Sequence, residues 1–174
     1  MALFKTRGAA IYGIDAHLID VEVDMFASGN ARDSVMVGMP DVAVRESRER
    51  IKSALINSGF GYPNKRITIN LAPANVRKEG AGFDLPVAIG MLAGNDQLMS
   101  DQLGNLVVVG KLALTGSVSI LKAKLPIAKL ARALEVSPRF AIFSIVSGVV
   151  CCYFLPDTIY DLERTSLTLW APSV

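Results

Sequence analysis

Between residues 18 and 25 the chain alternates with a period of two. Ile19, Val21, Val23 and Met25 are apolar, and Asp20, Glu22 and Asp24 are acidic. Successive strand residues point to opposite sides, so this spacing predicts a half-buried strand with an acidic outer face. Alternation already shows at Ala10, Tyr12 and Ile14. Residues 27–32 read as a turn, and 35–37 as a short strand that stops at Gly38.

The period then changes. After Pro40-Asp41, residues Val44, Ile51, Ala54 and Leu55 recur at helical spacing, with Arg45, Glu46, Arg48, Glu49, Arg50 and Lys52 covering the rest of that helix. Gly59 fits its C-terminal stop. Tyr62-Pro63-Asn64 is a turn, and residues 66–71 a strand. A loop over 72–82 leads to a second helix, from Leu85 to about Leu92, which is almost wholly apolar and so predicted to be central. Asp84 stands where a side-chain cap is expected, with Pro86 tolerated in the first turn. Residues 106–114 form a strand pair or a bent strand, Gly116 a turn, and 125–134 a third helix. In that helix Leu125, Ala128, Leu130, Ala131 and Leu134 are apolar, and Lys129 and Arg132 exposed. Strands and helices mixed in this order read as α+β or α/β with a largely single sheet.

Composition narrows the function classes. A chain of 174 residues with 51% hydrophobic content is one domain's worth of packed core. A net charge of +2 gives no bulk attraction for nucleic acid, membrane surfaces or acidic substrates. His17 is the sole histidine, and the two cysteines, Cys151 and Cys152, are adjacent. Zinc sites of the usual kinds therefore lack ligands, and no disulfide framework is implied. The start of the chain has no long apolar run, so cytoplasmic localisation is expected. Residues 140–155 carry no charge, but sixteen residues fall short of the ~18–20 that span a bilayer. Their β-branched content and Gly148 favour buried strands, and no membrane is expected.

Three stretches invite a chemical reading. Arg77-Lys78-Glu79-Gly80-Ala81-Gly82-Phe83-Asp84 is a basic, glycine-rich loop entering a helix, a place where free N–H groups can hold phosphate. Asp84 would occupy that anion position itself, so a structural cap is the stronger reading. No stretch meets the spacing of a phosphate-binding ATPase loop: Gly104 and Gly110-Lys111 are one residue too far apart, and Leu112 replaces the hydroxyl. Lys122, Lys124, Lys129 and Arg132, with Arg77 and Lys78, are the candidates for touching a nucleic-acid backbone. No aromatic residue interleaves with the Lys122–Arg132 group to stack bases, and a solvated helix face is the commoner use of such charges.

The run Val35-Met36-Val37-Gly38-Met39-Pro40-Asp41, followed by 44–60 (VRESRERIKSALINSGF), resembles the magnesium-chelatase-like ATPase family of the ComM/YifB type. So do 65–74 (KRITINLAPA), 78–80 (KEG), 83–86 (FDLP), 110–118 (GKLALTGSV) and 125–127 (LPI). The likeness covers about residues 4–136 and leaves 137–174 as an unmatched tail. It implies the fold shared by the Lon proteolytic domain and a ribosomal protein S-five domain: a βα sandwich with one mixed sheet packed by helices. It implies that full-length relatives add an AAA+ module, use ATP and Mg, form rings and remodel DNA. Lacking that module, the chain is expected to be non-catalytic and to hold no cofactor. Its expected partners are another copy, an AAA+ ATPase module or, weakly, DNA. Lon-type proteases carry a Ser–Lys dyad on this fold. The matching positions here fall at Gly82 and near Leu125, which removes that chemistry.

Overall fold

The computed structural model describes residues 2–12, 14–27, 34–98, 107–119, 141–146 and 149–154. Its centre is a four-stranded mixed sheet with the order β1-β2-β4-β3. Strand β1 (Ala2–Tyr12) forms an antiparallel hairpin with β2 (Asp15–Phe26), and β2 pairs antiparallel with β4 (Arg66–Ala72). Strand β3 (Ser34–Val37) lies parallel to β4. Helix α1 (Val42–Asn57) makes the crossover between these two parallel strands, a connection that needs the length of a helix. The architecture is α+β.

The alternation in β2 produces a two-faced sheet. Val21 sits opposite Leu71, Val23 opposite Ile69 and Met25 opposite Ile67, and all six side chains are buried. Asp20, Glu22 and Asp24 take the other face. There Lys5 reaches Asp20 at 2.9 Å and Glu22 at 3.7 Å, and Asn70 donates to Glu22 at 2.8 Å. These pairs are half-exposed and add little stability. The core lies between the apolar face and two helices.

Helix α1 begins where the Asp41 carboxylate accepts the Val44 N–H at 2.7 Å, and it buries Val44, Ser47, Ile51, Ala54 and Leu55. Helix α2 (Asp84–Gly94) is buried along its whole length, as its unbroken apolar sequence requires. It packs across β1 and β2 and against α1. Thr6 of β1, itself buried, donates to the Pro86 carbonyl of α2 at 3.0 Å.

Beyond α2, Val107 bridges Arg7 in parallel, and the Val108 N–H donates to the Arg7 carbonyl at 2.7 Å. Residues 107–110 thus run along the free side of β1. Strand β5 (Lys111–Leu112) then turns back on β6 (Val118–Ser119), with Gly116 at φ 86° in the turn. Of the bent strand or strand pair expected over 106–114, the structure shows the Val107 bridge and β5, whose partner β6 lies beyond that stretch. The hairpin β7 (Ala141–Val146) with β8 (Val149–Phe154) forms a separate antiparallel pair, in line with the strands expected there. The expected turn at 28–32 and third helix at 125–134 lie outside the described residues. Strand β1 starts eight residues earlier than the alternation at Ala10 indicates. The segment 2–9 hides its pairing because Thr6, Gly8 and Ala9 supply small or polar groups to buried positions. Among the described residues no helix is long and apolar enough to cross a membrane.

Helix and sheet meet most closely at Gly90. A methyl group there would lie 2.6 Å from Cγ2 of Val23. Helix propensity favours alanine over glycine by about 1 kcal/mol, whereas forcing a methyl into a packed core costs about 1–3 kcal/mol. The β-branched Val23 cannot swing away, so packing wins. Gly90→Ala is expected to lower the denaturant midpoint by the equivalent of about 1–2 kcal/mol. Adding Val23→Ala is expected to cost less in that background than alone. Equal costs in both backgrounds count against the close approach.

Candidate functional site

Three loops meet at the N-terminal ends of the two helices. The first is the turn 38–41. Gly38 has φ 94°, and any side chain there would meet the Leu71 carbonyl at 2.1 Å, so only glycine lets this turn cross the end of β4. Met39 also takes a positive φ, 57°. The second loop is 73–83, ending in a single 3-10 turn over Ala81–Phe83. The third is 110–112.

Asp84 ties the third loop to both helices. It is the first residue of α2 and fully buried. The helix makes no side-chain cap at this end, which corrects the expectation that Asp84 caps it. Its carboxylate is turned to other partners. Both oxygens accept from the Arg50 guanidinium of α1, each at 3.1 Å, and one also accepts the Leu112 N–H at 3.2 Å. Arg50 further donates to the Ala43 carbonyl at 3.1 Å. Backbone bonds complete the seam: Leu85 N–H to Gly110 O at 3.1 Å, and Gly110 N–H to Gly82 O at 3.1 Å.

Burial pushes the Asp84 carboxyl above its ordinary value, and the Arg50 hydrogen bonds pull against that shift. The same hydrogen bonds raise Arg50. The paired geometry, bidentate and backed by a backbone N–H, is that of an ionised carboxylate. Arg50 is the residue that sequence reasoning misplaced. Its charge and its neighbours Glu49 and Lys52 suggest a place on the exposed side of α1. Yet it lies three residues after buried Ser47 and four before buried Ala54, inside the apolar stripe.

Asp41 and Lys78 join the first two loops. One Asp41 oxygen caps α1 and the other accepts the Gly80 N–H at 3.2 Å. The Asp41 N–H donates to the Lys78 carbonyl at 3.1 Å, and the Lys78 N–H to the Met39 carbonyl at 3.5 Å. The Lys78 side chain is wholly buried, its ammonium donating to the Pro73 carbonyl. Burial pushes this amine below its ordinary value. A phosphate therefore cannot reach Lys78 in this conformation, against its place among the backbone-contacting candidates. Arg77 is exposed and paired with Glu79 at 2.9 Å. Lys122, Lys124, Lys129 and Arg132 lie outside the described residues.

Gly82, the position that the likeness assigns to a serine nucleophile, is buried and spends its carbonyl on Gly110. The position matched to the lysine lies outside the described residues. The acidic groups of this site are held by internal donors, and among the described residues no cluster of metal-ligating side chains occurs.

Comparison with known proteins places these loops within a family match. The family model described as "Subunit ChlI of Mg-chelatase" matches residues 21–141. The chain is 47% identical over 117 residues to the protein YifB of Escherichia coli strain K12, covering 67% of this chain and 23% of that protein. It is 46% identical over 116 residues to the competence protein ComM of Haemophilus influenzae, covering 67% of this chain and 22% of ComM. A Mycobacterium tuberculosis relative is 32% identical over 126 residues, or 72% of this chain and 25% of that protein. The chain thus spans a quarter or less of the length of these curated relatives.

The ion pair gives a signed expectation. Arg50→Met strands the Asp84 carboxylate in the core, at a cost of about 3–5 kcal/mol near neutral pH. Without Arg50 the folded-state pKa of Asp84 stands further above the unfolded value. The folded state then binds more protons, so stability falls as pH rises through that window. The deficit of Arg50→Met against the wild type is expected to shrink towards acid pH in urea titrations. A deficit that stays constant or widens in acid contradicts a buried, Arg50-dependent charge.

Proposed function

This chain belongs to the ChlI/Mg-chelatase-like family, and from that premise we propose that it is a non-catalytic N-terminal domain that docks other parts of a ComM/YifB-type ATPase assembly. The carrying observation is an apolar ridge at one edge of the sheet. Val35 and Val37 of β3, Met39 in the following turn and Val42 at the start of α1 are all exposed, Met39 at 59% and Val42 at 70%. Large apolar side chains gathered along one short stretch mark contact surfaces. The ridge adjoins the Gly38–Asp41 turn, so the conformation that Asp41 and Lys78 fix also sets its shape.

The finer fold belongs to the same reading. A parallel β3–α1–β4 unit beside a β1–β2 hairpin, with a glycine-rich loop entering a buried helix, fits the Lon-type and S-five-type βα sandwich. Within that reading Gly82 replaces the nucleophile. ATP, Mg and DNA remodelling belong, on this proposal, to the longer assembly. Direct nucleic-acid binding has less support, since Arg77 is paired with Glu79 and Lys78 is buried.

Sedimentation of the pure chain, alone and mixed with the remaining part of the Escherichia coli relative, tests the proposal. We expect association in at least one of the two, lost in Val37→Asp/Val42→Asp with the fold intact by circular dichroism, and no ATP hydrolysis by the chain alone. A chain that stays monomeric in both, or that turns over ATP, overturns it. Tight binding of branched DNA that falls steeply with salt would move the assignment to a nucleic-acid module.

A further inference from the structure

Among the described residues Lys78 and Asp84 are the ionisable side chains with no exposed surface. Asp84 has Arg50. Among the described residues the Lys78 side chain has one partner, the Pro73 carbonyl. The charged groups on the segments that Lys78 meets are engaged elsewhere. Arg77 and Glu79 pair with each other at 2.9 Å, Asp41 accepts from Val44 and Gly80, and Asp84 holds Arg50. On the neighbouring β2, Asp20, opposite Ala72, is taken by Lys5. None of them forms an ion pair with Lys78.

A buried ammonium without a counter-charge is costly, and a lysine has a ready escape. Its four-carbon stem lets the head reach water if the covering loop lifts. The loop over Lys78 is anchored by few bonds: Lys78 N–H to Met39 O, Asp41 N–H to Lys78 O and Gly80 N–H to Asp41. Glu79 and Gly80 are exposed, and space around the Gly80 Cα is open. We propose that Lys78 makes residues 73–80 a proton-controlled latch. In the closed state the amine lies beneath the loop on the Pro73 carbonyl, and in the open state it is solvated as ammonium.

The sign follows from the two states. In the open state the amine titrates as an ordinary lysine. In the closed state burial favours the neutral form, which still donates to Pro73. The closed state therefore binds fewer protons, and closing strengthens as pH rises through the window below 10.5. Within that window the closing equilibrium gains up to about tenfold per pH unit. Because the latch holds the turn that carries Met39, protonation would loosen the exposed ridge beside it.

Amide hydrogen exchange on the full chain from pH 7 to 10, normalised to intrinsic rates, tests this. Protection of the Lys78 and Gly80 amides is expected to rise with pH, while the Val23–Ile69 ladder does not share the slope. Lys78→Met is expected to give flat protection above the wild type at pH 7. Lys78→Arg, whose guanidinium keeps its charge, is expected to give flat, low protection. A flat wild-type profile, or a Lys78→Met profile with the wild-type slope, overturns the latch. Should the variants not fold, 13C titration of the wild-type Lys78 Cε decides: a midpoint below the ordinary lysine value of 10.5 supports it, and one at or above 10.5 overturns it.

Discussion

The carboxylate of Asp84 is the constraint on which the ends of both helices depend. It sits out of water at the first residue of α2, where an anion is favoured by the helix N–H groups. Its position requires Arg50 from α1 and the Leu112 N–H from β5. Leaving any of these unpaired in the core costs more than the bond itself is worth, so the three segments are held as a set. The pairing contributes little net stability compared with an apolar replacement of the same shape. What it contributes is geometry, because this arrangement of α1, α2 and residues 110–112 brings all three donors to the one carboxylate.

Around that point the fold is an ordinary two-faced sheet. The inner residues of β2 and β4 supply the apolar mass, each large side chain contributing about 1.5–3 kcal/mol on burial. Glycines set the approach distances. Gly90 lets α2 settle on Val23, and Gly38 lets the β3–α1 turn cross the Leu71 carbonyl. Asp41 and Lys78 then stitch that turn to the loop ahead of α2. The segments 38–41, 78–84 and 110–112 all lie within the residues 21–141 that the family model matches. The residues there hold loops against one another.

Much of this was legible in the sequence where one periodicity dominates. The acidic and apolar sides of β2, the buried stripe of α1 and the wholly buried α2 follow from spacing alone. Local signals also placed the ends of β3 at Gly38 and of α1 near Gly59. Interactions between distant charges were not legible. Arg50 and Asp84 are 34 positions apart, and each has a plausible local role, as surface charge and as cap. Helical phase carried a signal for Arg50, since its position falls within the buried stripe. Lys78 gave no such signal, because the loop around it has no period from which burial could be inferred. The early part of β1 was missed because its buried residues are small, and small residues do not make an apolar pattern.

Asp84 holds α1, α2 and residues 110–112 as a single unit. Amide exchange in Asp84→Asn tests it directly, since the amide keeps the shape and removes the charge. The Leu85, Gly110 and Leu112 amides are expected to lose protection together and by similar factors, while the β2–β4 ladder keeps its own. A loss confined to Leu112, with Leu85 and Gly110 unchanged, would show that the loops are held independently and would contradict it.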